Sequence, residues 1–149
     1  MAVKPIPAGY RTVTPYLVVP GAARLIDFLK QAFNAKEMHR MTHTNGSIMH
    51  AEVRIGDSRV MIGEPAGQSP TMPAMLYLYV KDTDATYKSA LAAGGTSLKE
   101  PSDQFYGDRN AGIQDPCGNR WWIATHVEDV APEEMTRRTQ EAMRQRGAA

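Results

Sequence analysis

The chain has 149 residues and is almost electrically neutral, with 17 Lys and Arg against 16 Asp and Glu and a net charge of +1. This length suits one domain with a sizeable core, and so small a charge provides no general field for holding nucleic acid or an anionic membrane. No stretch is apolar over the length of a signal peptide or a membrane span, and Cys117 is the single cysteine. We therefore predict a cytosolic protein that binds neither nucleic acid nor membrane.

The first part of the chain predicts a strand, a helix and three more strands. Thr12 to Val19 is rich in β-branched and aromatic residues and stops at Pro20, which is typical of a strand. From Ala22 to Phe33 the apolar residues recur at spacings of three and four, which predicts a helix. Three further strands, separated by hairpin turns, are predicted at Lys36 to Thr42, Ser47 to Ile55 and Arg59 to Gly63.

The same order of elements then begins again. Pro65 to Pro73 is rich in Pro, Gly and Ser and is predicted to be a linker. A strand at Ala74 to Val80 and a helix over 82–93 follow. Further strands are predicted at Gln104 to Gln114 and Arg120 to His126, and a C-terminal helix at Pro132 to Arg146.

Two parts of the chain match each other at a nearly constant offset. Tyr16-Leu17-Val18-Val19 matches Tyr77-Leu78-Tyr79-Val80 at an offset of 61, and Gly56-Asp57 matches Gly118-Asn119 at 62. Such recurrence indicates a duplicated unit. The predicted fold is α+β: two βαβββ modules, about 10–65 and 74–128, whose curved mixed sheets surround a cavity. They form one domain over 1–130, followed by a C-terminal helix and tail at 131–149.

This arrangement, with the turn Asp115-Pro116-Cys117-Gly118-Asn119, resembles the vicinal oxygen chelate superfamily of glyoxalase and bleomycin-resistance relatives over about residues 10–128. Tyr106-Gly107-Asp108-Arg109 and Trp121-Trp122-Ile123-Ala124-Thr125-His126 are most similar to its PhnB-like subgroup. The resemblance implies the fold. It leaves the function open, because the superfamily contains lyases, isomerases, ring-cleaving dioxygenases and metal-free drug binders.

The resemblance also implies four positions for metal ligands. Metal-dependent members carry His or Glu on the first and last strands of each module, and these positions fall here at about Thr14, Gly63, Met75 and Trp122. None of these side chains suits a divalent ion in such a site, and a shift of one residue brings in only Glu64. We therefore expect no metal and no other cofactor.

Two polar residues leave a choice of interpretation. Alternation places His50 and Glu52 on the cavity side of their strand and Met49 on the helix side. His50 and Glu52 either join His126 as metal ligands or an acid–base pair, or they form a structural hydrogen-bonded network across the strands.

Aromatic residues dominate the predicted cavity face of the second module. Tyr77, Tyr79 and Trp122 fall on this face, whereas Trp121 falls on the helix side. They either line a cleft for a planar or amphipathic ligand or belong to ordinary core packing. Arg109 offers a guanidinium for a carboxylate or phosphoryl group unless it is held in an ion pair, and Asp108 is expected in such an ion pair.

The leading prediction is a metal-free small-molecule binding protein, similar to the bleomycin-resistance-type drug binders, with an aromatic or amphipathic ligand. The alternatives are a metal-dependent lyase, isomerase or dioxygenase with a displaced metal site, and a non-catalytic scaffold. A homodimer is expected, since relatives pair modules across subunits and the face from Met135 to Met143 needs cover. The predicted ligand-binding residues are Tyr16, His50, Glu52, Met61, Tyr77, Tyr79, Tyr106, Arg109, Trp122 and His126.

Overall fold

The computed structural model describes residues 2–65 and 71–148, and within them the chain forms two successive modules and a last helix. The first module consists of β1 (Tyr16–Val18), α1 (Ala22–Phe33), β2 (Lys36–Thr42), β3 (Ile48–Ile55) and β4 (Ser58–Gly63). The second consists of β5 (Met75–Tyr79), α2 (Thr83–Ala92), β6 (Thr96–Asp103), β7 (Asp108–Gln114) and β8 (Arg120–His126). The helix α3 (Pro132–Ala148) follows.

Each module folds into a four-stranded mixed sheet. The strand orders are β1-β4-β3-β2 and β5-β8-β7-β6. β1 runs parallel to β4 and β5 runs parallel to β8, whereas the other neighbours are antiparallel. The two sheets thus share one topology, and the predicted α+β fold of paired βαβββ modules is confirmed.

One hydrophobic core joins the two modules. Leu17 of β1, Leu25 of α1 and Ile123 of β8 are buried members of it. The rings of Phe33 and Trp121 meet there with centroids 5.1 Å apart, and α1 packs against α2. Each sheet therefore turns one side to the helices. The other side of each sheet is called its open face below.

The sequence prediction is wrong about the strands after α2. The predicted strand Gln104 to Gln114 is a turn followed by β7, and β6 was not predicted. β6 lacks alternation and contains Pro101, and its pairing with β7 is irregular between Lys99 and Ser102. A proline is tolerated there because β6 is an edge strand. β1 is also shorter than predicted, since it begins at Tyr16.

A β-bulge corrects one predicted side-chain direction. Met41 pairs with His50 and Thr42 pairs with Ile48, so Met49 is the extra residue on β3. Ile48 is therefore buried, and Met49, predicted to face the helix, is 46% exposed. From His50 onwards the strand alternates as predicted.

Two segments lie outside the sheets: the predicted linker and α3. The predicted linker Pro65 to Pro73 includes residues 66–70, which lie outside the described residues. α3 is held by Arg138, whose guanidinium donates to the carboxylate of Glu128 and to the carbonyl oxygen of Phe105. Among the described residues, no helix is both long and apolar enough to cross a lipid bilayer.

Candidate ligand-binding site

The open face of the second sheet carries aromatic and polar side chains in two rows across the strands. Residues paired across strands point to the same side of a sheet. The first row consists of Lys99, Gly112, Trp122 and Tyr77. The second row consists of Ser102, Asn110, Ala124 and Tyr79. Each row thus has one small residue between two larger ones: Gly112 between Lys99 and Trp122, and Ala124 between Asn110 and Tyr79.

Asp108 is the buried anion of this face. It is 4% exposed, and its carboxylate accepts hydrogen bonds from the hydroxyls of Tyr77 at 2.8 Å and Tyr79 at 2.9 Å. Burial raises the pKa of Asp108, but the bonds from His126 and the two tyrosines outweigh burial, and the net pKa is lowered. Asp108 therefore stays ionised in the neutral range.

His126 lies between two carboxylates. Its Nδ1 is 3.0 Å from Asp108 Oδ1, and its Nε2 is 2.7 Å from Asp129 Oδ1. The bond to Asp108, followed by that to Asp129, raises the pKa of His126 above its ordinary value. The arrangement favours the charged imidazolium, which neutralises the buried anion.

Asn110 connects the aromatic and cationic parts of the face. This buried amide donates to the hydroxyl oxygens of Tyr77 at 3.2 Å and Tyr106 at 2.8 Å. Its carbonyl oxygen accepts from Lys99 Nζ at 2.8 Å. Burial of Lys99 lowers the pKa of its ammonium. Lys99, Tyr106 and Tyr77 are thereby fixed around one side chain.

The two tryptophans lie on opposite sides of β8. Trp121 is 1% exposed, and its indole N–H donates to Asp115 at 2.8 Å. Trp122 lies on the open face, where a Cβ added to Gly112 would meet its Cζ3 atom at 2.4 Å. The ring of Trp122 therefore occupies the space that Gly112 leaves above β7.

Arg109 does not join the open face. Its guanidinium binds Asp84 of α2 at 2.8 and 2.9 Å and Asp103 at 3.1 Å. The expected ion pair of Asp108 is formed with His126 and not with Arg109, because adjacent residues of a strand point to opposite sides. Both residues are thus ion-paired, and Asp108, unlike Arg109, belongs to the candidate site.

The open face of the first sheet holds a simpler arrangement. The Tyr16 hydroxyl is 3.1 Å from His50 Nδ1, and His50 Nε2 is 3.1 Å from Glu52 Oε2. A Cβ at Gly63 would lie 3.0 Å from the Tyr16 hydroxyl oxygen, so the tyrosine reaches His50 across this glycine. The register places Met61 between Tyr16 and Glu52.

The N-terminal segment lies against this first face. A cleft of about 540 Å³ is lined by residues between Pro5 and Thr14 and by Glu52 and Met61. The hydroxyl of Tyr10, which also lines the cleft, is buried and has no hydrogen-bond partner among the described residues. The first face is therefore partly covered by the chain itself.

A larger cleft of about 1110 Å³ runs along the free edge of β5. It is bordered by the end of α1, the turn between β3 and β4, and the start of α2, and it reaches Tyr77, Tyr79 and His126. The cleft is large enough for a small organic molecule and meets the open face at these three residues, whereas Trp122, Asn110 and Lys99 lie outside it.

The metal positions implied by the resemblance do not fit a metal ion. Thr14, Gly63, Met75 and Trp122 supply no imidazole or carboxylate. In the described part of the chain, no group of three or more His, Cys, Asp or Glu side chains is close enough to hold a metal ion.

The alternative ligands do not assemble either. His50 and Glu52 lie on the first sheet and His126 lies on the second, and the three side chains do not form a group that could hold a metal ion. The carboxylate of Glu64 is occupied by the backbone N–H groups of Gly21 and Ile48. Among the described residues, no other donors thus replace the four missing ligands.

Sequence reasoning missed Lys99 and Asn110. The signal that could have found Lys99 is the internal repeat, because β2 shifted by 61 residues gives 97–103, almost the span of β6. Asn110 lay in a predicted strand, but nothing in the sequence indicated its three side-chain partners.

Comparison with known proteins gives one family and one fold. The family model described as Glyoxalase/Bleomycin resistance protein/Dioxygenase superfamily matches residues 11–123. An uncharacterised protein of Mycobacterium bovis is 35% identical, over 83% of this chain and 88% of the relative. TioX from Micromonospora sp. ML1 has a TM-score of 0.68 at 21% identity, over 78% of this chain and 99% of that chain. A superfamily member from Sphaerobacter thermophilus has a TM-score of 0.64 at 18% identity, over 77% and 96%. At these identities the solved structures establish the fold alone.

Proposed function

Because the chain belongs to the glyoxalase/bleomycin resistance protein/dioxygenase superfamily, we propose that it binds a planar aromatic or amphipathic small molecule without a metal ion, as bleomycin-resistance-type drug binders do. We also propose that it is related to the PhnB-like proteins, which Tyr106-Gly107-Asp108-Arg109 and the segment Trp121 to His126 support. The observation that carries the proposal is the open face of the second sheet. Tyr77 and Tyr79 are 44% and 65% exposed there, beside the partly buried Trp122. Rings in this state gain contact area when a flat ligand stacks on them.

The chemistry of the side chains supports binding over metal-assisted catalysis. A divalent ion needs imidazole or carboxylate groups converging on one point. On the second sheet the carboxylate of Asp108 is already engaged by two phenols and His126. The positions where metal-dependent relatives have ligands carry apolar or uncharged side chains. The face is therefore equipped to hold an organic molecule.

The proposal includes a homodimer that encloses the ligand. Tyr16 on the first open face is 48% exposed, and Met41, which pairs with His50, is 46% exposed. β1 and β5 each leave one edge unpaired within the described sheets. A second copy that sets its first open face against the second open face of this chain covers these side chains.

Sedimentation velocity tests the dimer. The expected species has twice the 16.4 kDa mass of the chain. A mass of one chain that does not change with protein concentration contradicts the dimer and leaves the ligand-binding proposal standing.

Ligand binding is tested with a naphthalene compound followed by tryptophan emission. We expect quenching in the native protein, and calorimetry should show affinity several-fold weaker in Trp122→Ala, since a stacked ring contributes about 1 kcal/mol beyond its buried area. Tyr87→Phe is the matched control, because this tyrosine bonds Ser97 and lies away from the open face. Equal affinity in native protein and Trp122→Ala contradicts the proposed site.

Metal independence has its own test. Zinc, nickel, manganese or iron added to dialysed protein should leave its melting temperature nearly unchanged, since an ion that binds only the folded state raises it. A large rise that disappears in His50→Ala supports the metal-dependent lyase, isomerase or dioxygenase instead.

A second candidate function is metal-free proton transfer on the first open face. Tyr16, His50 and Glu52 form a hydrogen-bonded series in which a base is oriented by a carboxylate and contacts a phenol. This is the arrangement of a general acid–base pair. Loss of ligand turnover in His50→Gln with unchanged ligand affinity favours this candidate.

A further inference from the structure

We propose that the preferred ligands carry an anionic group, a carboxylate, next to their aromatic ring, and that Lys99 binds that group. This inference rests on the proposed function and names the chemical class of ligand for the same site. Arg109, the other candidate for this role, has its guanidinium engaged by Asp84 and Asp103.

Lys99 has unused capacity for hydrogen bonds. An ammonium has three donors, and the one hydrogen bond found for Lys99 among the described residues goes to the neutral amide oxygen of Asn110. None of the ion pairs between described residues involves Lys99. Burial lowers its pKa, and an adjacent anion opposes that effect. A carboxylate on the ligand provides the missing partner.

The neighbouring groups favour an anion over a cation. Asp108, the buried carboxylate of this face, already accepts from Tyr77, Tyr79 and His126. Tyr106 accepts a hydrogen bond from Asn110 through its oxygen, so its own O–H proton is available to a ligand. The free donors thus come from Lys99 and Tyr106, which bond to the same amide.

The register gives the position of this anion relative to the ligand ring. Lys99, Gly112 and Trp122 are paired across three adjacent strands, which are spaced about 4.8 Å apart. The ring of Trp122 lies over Gly112, in the interval between the backbones of Lys99 and Trp122. A flat ligand stacked on this indole therefore carries its carboxylate within reach of the flexible Lys99 side chain.

The test uses two probes of nearly the same shape, 2-naphthoate and 2-naphthamide, measured by calorimetry on the full chain. We expect native protein to bind 2-naphthoate about tenfold more tightly, which is the size of one charge-assisted hydrogen bond at a partly exposed site. Lys99→Met should remove the preference and Lys99→Arg should keep it. Lys88→Met is the matched control, since it removes an exposed lysine from α2. Circular dichroism verifies that each variant is folded.

The outcomes separate the inference from its premise. A preference for 2-naphthoate that is lost in Lys99→Met and kept in Lys88→Met supports the inference. Equal affinity for both probes in native protein overturns it while the proposed aromatic site stands. A preference that survives in folded Lys99→Met overturns the role of Lys99. Absence of binding by either probe overturns both the site and the inference.

Discussion

Equivalent rows of the two open faces carry different chemistry on the same backbone. The row in the first module consists of His39, Glu52, Met61 and Tyr16. The row in the second module consists of Lys99, Gly112, Trp122 and Tyr77. Tyr16 and Tyr77 occupy equivalent positions. Glu52 of the first row corresponds to Gly112 of the second, and Met61 corresponds to Trp122.

The exchange of Glu52 for Gly112 explains the difference between the faces. In the first module Glu52 fills its position and orients His50. In the second module Gly112 leaves space into which the ring of Trp122 extends. Only the second module therefore provides an aromatic platform in this row, and the buried Asp108 holds the surrounding tyrosines. The two modules share the strand pairing and differ in the side chains that decide the chemistry.

The largest expected effect is on the free energy of unfolding, where it distinguishes the core side of β8 from the open face. Trp121→Ala should lower the free energy of unfolding by about 3–5 kcal/mol, because the ring is buried and packs on Phe33. Trp122→Ala should cost much less, since its ring is partly exposed. Urea unfolding measures both. The reverse order means that the two sides of β8 are exchanged and that the proposed aromatic site is wrong.

The next effect tests whether the buried anion organises the second face. Asp108→Asn keeps the shape of the side chain and removes its charge, so we expect a loss of about 1–3 kcal/mol at neutral pH. Asp103→Asn is the control, because this carboxylate is exposed and binds Arg109 on the other side of the sheet. Its effect should stay within about 0.5 kcal/mol. Similar losses from both variants in urea unfolding argue against a special role for Asp108.

A smaller effect compares the glycines of the two faces. Gly112→Ala places a methyl group where the Trp122 ring lies, so the ring must move, at a cost of about 1 kcal/mol. Gly63→Ala meets Tyr16 and a carbonyl oxygen only at 3.0 Å, which smaller adjustments relieve. Calorimetry with 2-naphthoate should show a larger loss of affinity in Gly112→Ala than in Gly63→Ala. Equal losses of affinity in both variants mean that the ligand does not bind at Trp122.

The fold was predictable because local patterns and the repeat agree. The amphipathic period from Ala22 to Phe33 and the recurrence of Tyr16–Val19 at Tyr77–Val80 place the first strand and helix of each module. β6 was missed because an edge strand needs neither strict alternation nor the absence of proline. Met49 was assigned to the wrong side of the sheet because a β-bulge breaks the period of two. No residue near Met49 predicts this bulge.

The candidate site was only partly predictable for a different reason. Alternation was sufficient to place Tyr77, Tyr79 and Trp122 together on one face. Alternation did not predict which of the neighbours Asp108 and Arg109 points to the open face, because both side chains are charged and either direction suits a strand. That choice depends on Asp84 of α2 and the tyrosines of β5, which are distant in sequence. Long-range partners of polar residues are therefore the part of the site that one sequence does not specify.

The smallest effect concerns pH and compares His126 with its anionic partners. Asp108 and Asp129 raise the pKa of His126 above 6.5. A raised pKa in the folded state contributes stability that is fully present below the unfolded value of about 6.5 and is lost as pH rises through the folded value. The free energy of unfolding of native protein relative to His126→Gln should therefore be largest in mild acid and should shrink as pH rises above neutrality.

Half of the His126 side chain is exposed, so solvent and salt screen the effect. Urea unfolding of both proteins over a pH series, repeated at high salt, measures it. A difference that grows with rising pH contradicts the charged pairing of His126 with Asp108, and with it the neutralised anion on which the preference for anionic ligands depends.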